Sequence, residues 1–157
     1  MALEIERKFV IDQAAWVPQG SGVRFRQGYL SSNKERVVRV RIEGQSAKLT
    51  IKGATIGVTR SEFEYSIPLE DAAILLDRLC EQPLIDKHRH TEVHFGKTWE
   101  IDVFHGPNEG LVLAELELAT EDEEFQRPVW VLAEVSGDAR YFNSNLVKNP
   151  YSNWKKG

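Results

Sequence analysis

The chain has 157 residues, 41% hydrophobic and 28% charged, with one cysteine and a formal net charge of −4. Such a composition describes one folded domain over residues 1–157 that buries roughly two thirds of its unfolded surface without a disulfide, and it excludes a disordered or fibrous chain. The negative balance gives no general attraction for nucleic acid or an anionic membrane. Without a leader-like apolar run or a bilayer-length stretch, the expected location is cytoplasmic.

The first segment, residues 3–11, alternates with period two. Glu4, Glu6 and Lys8 fall on one face and Ile5, Phe9 and Ile11 on the other, the pattern of a half-buried strand. The pattern returns along the chain. Residues 23–30 read as a second strand and 36–44 as a third, where Arg39 and Arg41 oppose Val38, Val40 and Ile42. In 47–53, Lys48 and Lys52 oppose Leu49 and Ile51; in 60–68, Arg60, Glu62 and Glu64 oppose Phe63 and Tyr65. A helix is predicted from Leu69 to Glu81, with acidic residues at its start, Ala72, Leu75, Leu76 and Leu79 at helical spacing, and Pro83 beyond its end. Cys80 falls in this apolar run and reads as a buried structural thiol.

Lys87 and Arg89 then alternate with His88 and His90 in 86–95, Glu100 and Asp102 with Ile101 and Val103 in 98–104, and Glu115 and Glu117 with Leu116 and Leu118 in 112–119. An acidic segment, Thr120–Phe125, is expected to form a second helix capped by Thr120, and 139–148 a further short one. Eight short strands at this spacing predict a closed or nearly closed antiparallel barrel with peripheral helices.

For any single strand, charges two apart describe an ordinary solvent-facing sheet surface. Seven such strands describe something else. Whole strands are single-signed: acids at 100–102 and 115–117, bases at 39–41, 48–52 and 87–89. Like charges so placed repel. A polyanion would offset the repulsion among the bases, and hard divalent cations that among the carboxylates. Phosphates with Mg²⁺ satisfy both.

Other signals carry no chemistry. Gly96-Lys97-Thr98 lacks the glycine a P-loop requires five positions earlier, where Thr91 stands. His88, His90 and His94 have no further ligand to complete a zinc site and read as exterior polar residues. The four tryptophans are scattered and read as packing residues.

Glu4-x-Glu6-x-Lys8, Arg39-x-Arg41, Leu49-Thr50-Ile51-Lys52, Arg60-x-Glu62-x-Glu64, Lys87-x-Arg89, Glu100-x-Asp102 and Glu115-x-Glu117, in that order, resemble the successive tunnel strands of CYTH domains, also called triphosphate tunnel metalloenzymes. The tail from Glu134 to Asn143 resembles the end of the short bacterial members. The resemblance implies an eight-stranded antiparallel tunnel barrel that hydrolyses or cyclises a triphosphate with Mg²⁺ or Mn²⁺. It implies that Glu4, Glu6 and Glu117 hold the catalytic metal, with Glu115 beside them and Asp102 near the same cluster. Lys8, Arg39, Arg41, Lys52, Lys87 and Arg89 would grip the triphosphate, with Glu4, Glu6, Lys8, Arg39, Arg41 and Lys87 carrying the chemistry. Glu62 and Glu64 would bind a second metal or orient water. Inorganic tripolyphosphate is the first expected substrate, because the chain shows no base-binding insertion. A nucleoside or thiamine triphosphatase, a class IV-type adenylate cyclase and a non-catalytic polyphosphate- or nucleotide-binding module are the alternatives. The partner expected is a small-molecule triphosphate, with no nucleic acid and no membrane; an exposed sheet edge or the 69–81 helix offers a surface for a homodimer.

Overall fold

The alternating N-terminal segment forms β1 (Ala2–Ile11), and in the computed structural model, which describes residues 2–154, β1 is the seam of a closed barrel. One edge of β1 pairs with β8 (Val112–Glu117), which sets Glu6 opposite Glu117 and Lys8 opposite Glu115. The other edge divides. Residues 2–5 pair with β5 (Thr59–Ile67), Glu4 opposite Arg60, while Phe9 and Ile11 pair with β9 (Val131–Glu134). Between these lie β2 (Val23–Asn33), β3 (Arg36–Glu43), β4 (Ser46–Gly53), β6 (Ile85–His94) and β7 (Lys97–Phe104). The circuit runs β1-β5-β4-β3-β2-β6-β7-β8 and returns to β1, antiparallel at every step. The eight expected strands are therefore all present, and closure leaves none of the eight with a fully unpaired edge. The ninth strand, 131–134, was not expected: its Val-Leu-Ala-Glu run is too short to show a period.

The side chains that alternate away from the charged face pack outside the barrel. Over β1, β7 and β8, Phe9, Trp99, Ile101, Ala114 and Leu116 are covered by Trp16, Phe125 and Trp130. Trp99 is fully buried and meets Phe9 at 5.6 Å and Trp130 at 5.8 Å between ring centres. Over β3 and β4, Val40 and Ala47 take Ala72 and Leu76 of α1 (Leu69–Arg78). The helix stops three residues short of the expected Glu81, because the Gln82 amide donates to the Leu76 carbonyl and the Glu81 N–H leaves to donate to Tyr29 of β2. Cys80 is buried as expected, and burial pushes its thiol up to about 11.

At one end the inward positions change character. Tyr29, Val37, Ile85, Phe104 and Leu113 are apolar there, and they pack against Leu146 and Val147 of α2 (Asn143–Lys148), which follows a helical turn at Ala139–Tyr141. The tail predicted to be helical thus fills one end of the lumen.

The helix expected at Thr120–Phe125 is not formed. Its acids serve neighbouring groups instead of a helical first turn: Glu123 accepts from the Ala119 N–H at 2.7 Å, Glu121 accepts from Thr59 Oγ1 at 2.9 Å, and Phe125 turns onto Phe9 and Trp99. Gly96-Lys97-Thr98 belongs to the β6–β7 hairpin, where Phe95 and Gly96 both have positive φ (53° and 74°), the geometry of a two-residue turn that follows strand twist. His90 departs from the exterior reading. It lies outside the lumen but is buried, edge-on to Trp16 at 5.2 Å. Among the described residues, no helix is long and apolar enough to cross a membrane.

Candidate active site

A cavity of about 260 Å³ occupies the lumen. Its wall is charged because each of the seven strands singled out above brings charged side chains of that face to the lumen. Glu4, Glu6, Lys8, Arg39, Arg41, Lys52, Glu62, Glu64, Lys87, Arg89, Glu115 and Glu117 all line it, together with Arg60 and Glu100. Two of the discussed residues do not: Asp102 and Lys48. Lys48 pairs with Glu43 at 3.6 Å and Glu64 at 3.4 Å.

The ladder assembles one acidic corner. Pairing of β1 with β8 sets Glu6 directly across from Glu117, and pairing of β7 with β8 sets Glu100 across from Glu115. Burial, then Glu115 and Glu4, push the Glu6 carboxyl well above the ordinary carboxylate range. Burial, then Glu4, Glu100 and Glu62, push Glu117 up, and burial followed by Glu4 does the same to Glu62. Glu4 behaves oppositely. Burial pushes it up too, but Lys52 Nζ at 2.8 Å and Arg60 Nε at 3.5 Å from Oε2 outweigh burial and hold it well below the ordinary range.

The basic wall is held by its own counter-ions. Arg39 donates to Thr50 Oγ1 at 3.4 Å and lies 3.9 Å from Glu64, while Arg41 pairs with Glu43 and lies over the Phe25 ring at 4.7 Å. The Nε atoms of both arginines are buried without a hydrogen-bond partner among the described residues. Lys8 donates to the Tyr141 carbonyl at 3.1 Å and lies 3.7 Å from Glu115. Lys87 lies 2.8 Å from Asp102 and donates to Asn143 Oδ1 at 3.1 Å. Arg89 reaches Asp102, Glu100 and Glu115 at 2.7, 2.7 and 3.3 Å.

Asp102, expected near the same acidic cluster, does not share the lumen lining with the other acids. It lies behind the lining, 1% exposed, with both oxygens taken by Arg89 and Lys87. Arg60 pairs with Glu4. Sequence reasoning missed the tail's contribution: Ser136, Phe142, Asn143 and Ser144 also line the cavity. Uncharged and outside any alternating strand, they carry no pattern that marks a lumen face.

Among the described residues, no three His, Cys, Asp or Glu side chains converge as a ready-made metal cage. The donor set nevertheless fits a hard divalent cation: Glu6 and Glu117 face each other, Glu4 is close enough to raise both, and oxygen ligands with excess negative charge are what Mg²⁺ and Mn²⁺ take. The arrangement as a whole can hold a polyanion against the guanidinium and ammonium groups while a cation neutralises the carboxylates.

Comparison with known proteins agrees with this geometry. Residues 2–151 match the CYTH domain family. The chain is 48% identical over 156 residues to an inorganic triphosphatase of Acetivibrio thermocellus, covering 99% of this chain and 100% of that protein. It is 34% identical over 150 residues to an inorganic triphosphatase of Nitrosomonas europaea, covering 92% and 96% respectively. The crystal structure of the inorganic triphosphatase NE1496 superimposes with a TM-score of 0.65 at 33% identity, covering 94% of this chain and 95% of that one.

Proposed function

The chain belongs to the CYTH domain family, and from that premise we propose that it hydrolyses the terminal phosphoanhydride of inorganic tripolyphosphate with the help of Mg²⁺ or Mn²⁺. One observation carries the reading: a single cavity sets buried arginines and lysines against carboxylates too crowded to ionise freely. The inorganic triphosphatase relatives support the substrate. The wall itself is mostly charged and polar; its apolar side chains are Tyr29 and Val37 at the filled end, with Val58 and Phe142. The free, buried Cys80 and a phosphate substrate accord with a cytoplasmic enzyme.

Phosphoryl transfer spreads negative charge over the moving group and the departing oxygen, so positioning and charge stabilisation supply most of the rate. Lys8, Arg39, Arg41, Lys52, Lys87 and Arg89 would hold the phosphate chain, the guanidinium forks of Arg39 and Arg41 matching phosphate oxygens in pairs. Glu4, Glu6 and Glu117, with Glu115 beside them, would hold the cation. When bound, it would neutralise phosphate oxygens as a Lewis acid. Phosphate would draw Lys52 and Arg60 from Glu4, and the carboxyls of Glu6 and Glu117 would lose their protons on engaging the cation. Glu62 and Glu64 would orient the attacking water or hold a second cation; Glu62, pushed up by burial and Glu4, suits acceptance of the water's proton. Lys87 and Arg89 would stabilise the departing pyrophosphate. No covalent nucleophile is required.

The test is hydrolysis of tripolyphosphate, ATP and thiamine triphosphate with Mg²⁺ or Mn²⁺, following phosphate, pyrophosphate and cyclic AMP. Phosphate release from tripolyphosphate is expected, with Glu4→Gln and Glu117→Gln each lowering it by about 100-fold or more while the far-UV spectrum and Tm persist. Wild-type rates in both variants would reject the carboxylate assignment.

A further inference from the structure

We infer that Asp102 is a positioning residue for the phosphate-binding cations, acting through Arg89 and Lys87, and is not a metal ligand. The inference rests on the triphosphate reading above and assigns a role within it. Arg89 and Asp102 are direct cross-strand partners on β6 and β7, so one inward register level carries both. The carboxylate takes the arginine fork side-on, Oδ1 from Nε at 2.7 Å and Oδ2 from an Nη at 2.9 Å, and the same Oδ2 lies 2.8 Å from Lys87 Nζ. Arg89 and Lys87 line the cavity, whereas Asp102 does not. The clasp leaves the other Nη of Arg89, directed to Glu100 at 2.7 Å, as the group a phosphate can recruit from the exposed side.

The physical need is plain. A fully buried ammonium and a buried guanidinium cannot keep their charge and a fixed direction without an anion behind them. Phe25 under Arg89 at 4.8 Å and Phe104 under Lys87 at 5.4 Å supply further support but no net charge. Asp102 supplies one negative charge to two cations from behind, so their remaining positive charge faces the lumen, where Glu100 and Glu115 meet Arg89 and a polyanion can compete for it. A ligand to a divalent cation would have to abandon both partners.

Asp102→Asn keeps the shape and removes the charge. Two equilibria are to be measured on the whole protein by calorimetry: tripolyphosphate binding in EDTA, and Mn²⁺ binding without substrate. The expected result is tripolyphosphate affinity and kcat/KM lower by about tenfold to 100-fold, with Mn²⁺ affinity at its wild-type value. Weakened Mn²⁺ binding with unchanged tripolyphosphate affinity would overturn the inference. Asp102→Glu keeps the charge and displaces it by one methylene, so it guards against a fold defect in Asp102→Asn; it should show the same split, and wild-type anion affinity in it would also count against the role. The double variant Asp102→Asn/Arg89→Gln is expected to lose much less than the sum of its single losses, because the first change acts through the second residue; additive losses would reject that route. Wild-type protein that neither binds nor hydrolyses tripolyphosphate would overturn the triphosphate reading and this inference together, whereas active wild-type protein matched by Asp102→Asn would overturn the inference alone.

Discussion

Lys87 enters the lumen from β6 fully buried, and burial pushes its ammonium down to about 8, with Arg89 adding to the effect and Asp102 opposing it. Below that value the group carries the charge a phosphate needs; above it the charge is lost. Tripolyphosphate KM is therefore expected to climb as pH rises through about 8, and Lys87→Arg, whose guanidinium stays protonated, should move that alkaline limb upward. A pH profile of kcat/KM measures both; coincident profiles would show that another group sets the limb. Most residues of the lumen wall were legible as residues, because charge at alternate positions survives any detail of packing. Asp102 was not. In sequence it is indistinguishable from Glu100, and what separates them is depth: Asp102 is 1% exposed between two cations, whereas Glu100 reaches the cavity.

At the scale of elements, the segment after α1 docks where β2 offers no side chain. A Cβ on Gly28 would lie 2.7 Å from Leu84 Cδ2 and 2.8 Å from Cys80 Cβ, so the segment after α1 approaches the strand more closely than any other residue allows. Gly28→Ala is expected to cost about 1–3 kcal/mol through forced repacking, read as a lower denaturant midpoint with unchanged slope. Stability equal to wild type would show that the segment shifts freely. The strands and α1 were predictable because each has a strong period over six or more residues. The 120–125 turn and β9 were not, since each is settled by partners far along the chain: Thr59 and the Phe9–Trp99 cluster for the turn, β1 for the strand.

The molecule as a whole is a barrel that confines like charges, and its stability should report on them. Glu6 and Glu117 are raised in the folded state, so the stability they contribute is fully present below their unfolded value near 4.5 and is lost as pH rises through their folded values. A divalent cation held by these carboxylates, as proposed, would replace the lost protons. The increase in Tm on adding Mn²⁺ is thus expected to be small at acid pH and to grow as pH rises. Saturation a hundredfold above Kd would give about 2.7 kcal/mol, or roughly 2–4 °C per kcal/mol at this size. Thermal scans across pH with and without Mn²⁺ check this; an increment independent of pH would reject the coupling. By itself the sequence determined that charged faces recur on seven strands, that the barrel is antiparallel, and most of the charged side chains that line its lumen, because alternation is a local property of a strand and a charged face cannot become core. Tertiary structure alone decided which carboxylates crowd together and which are spent on cations, and that α2 fills one end of the lumen. Those outcomes depend on cross-strand register and on depth, which arise only when the chain closes on itself.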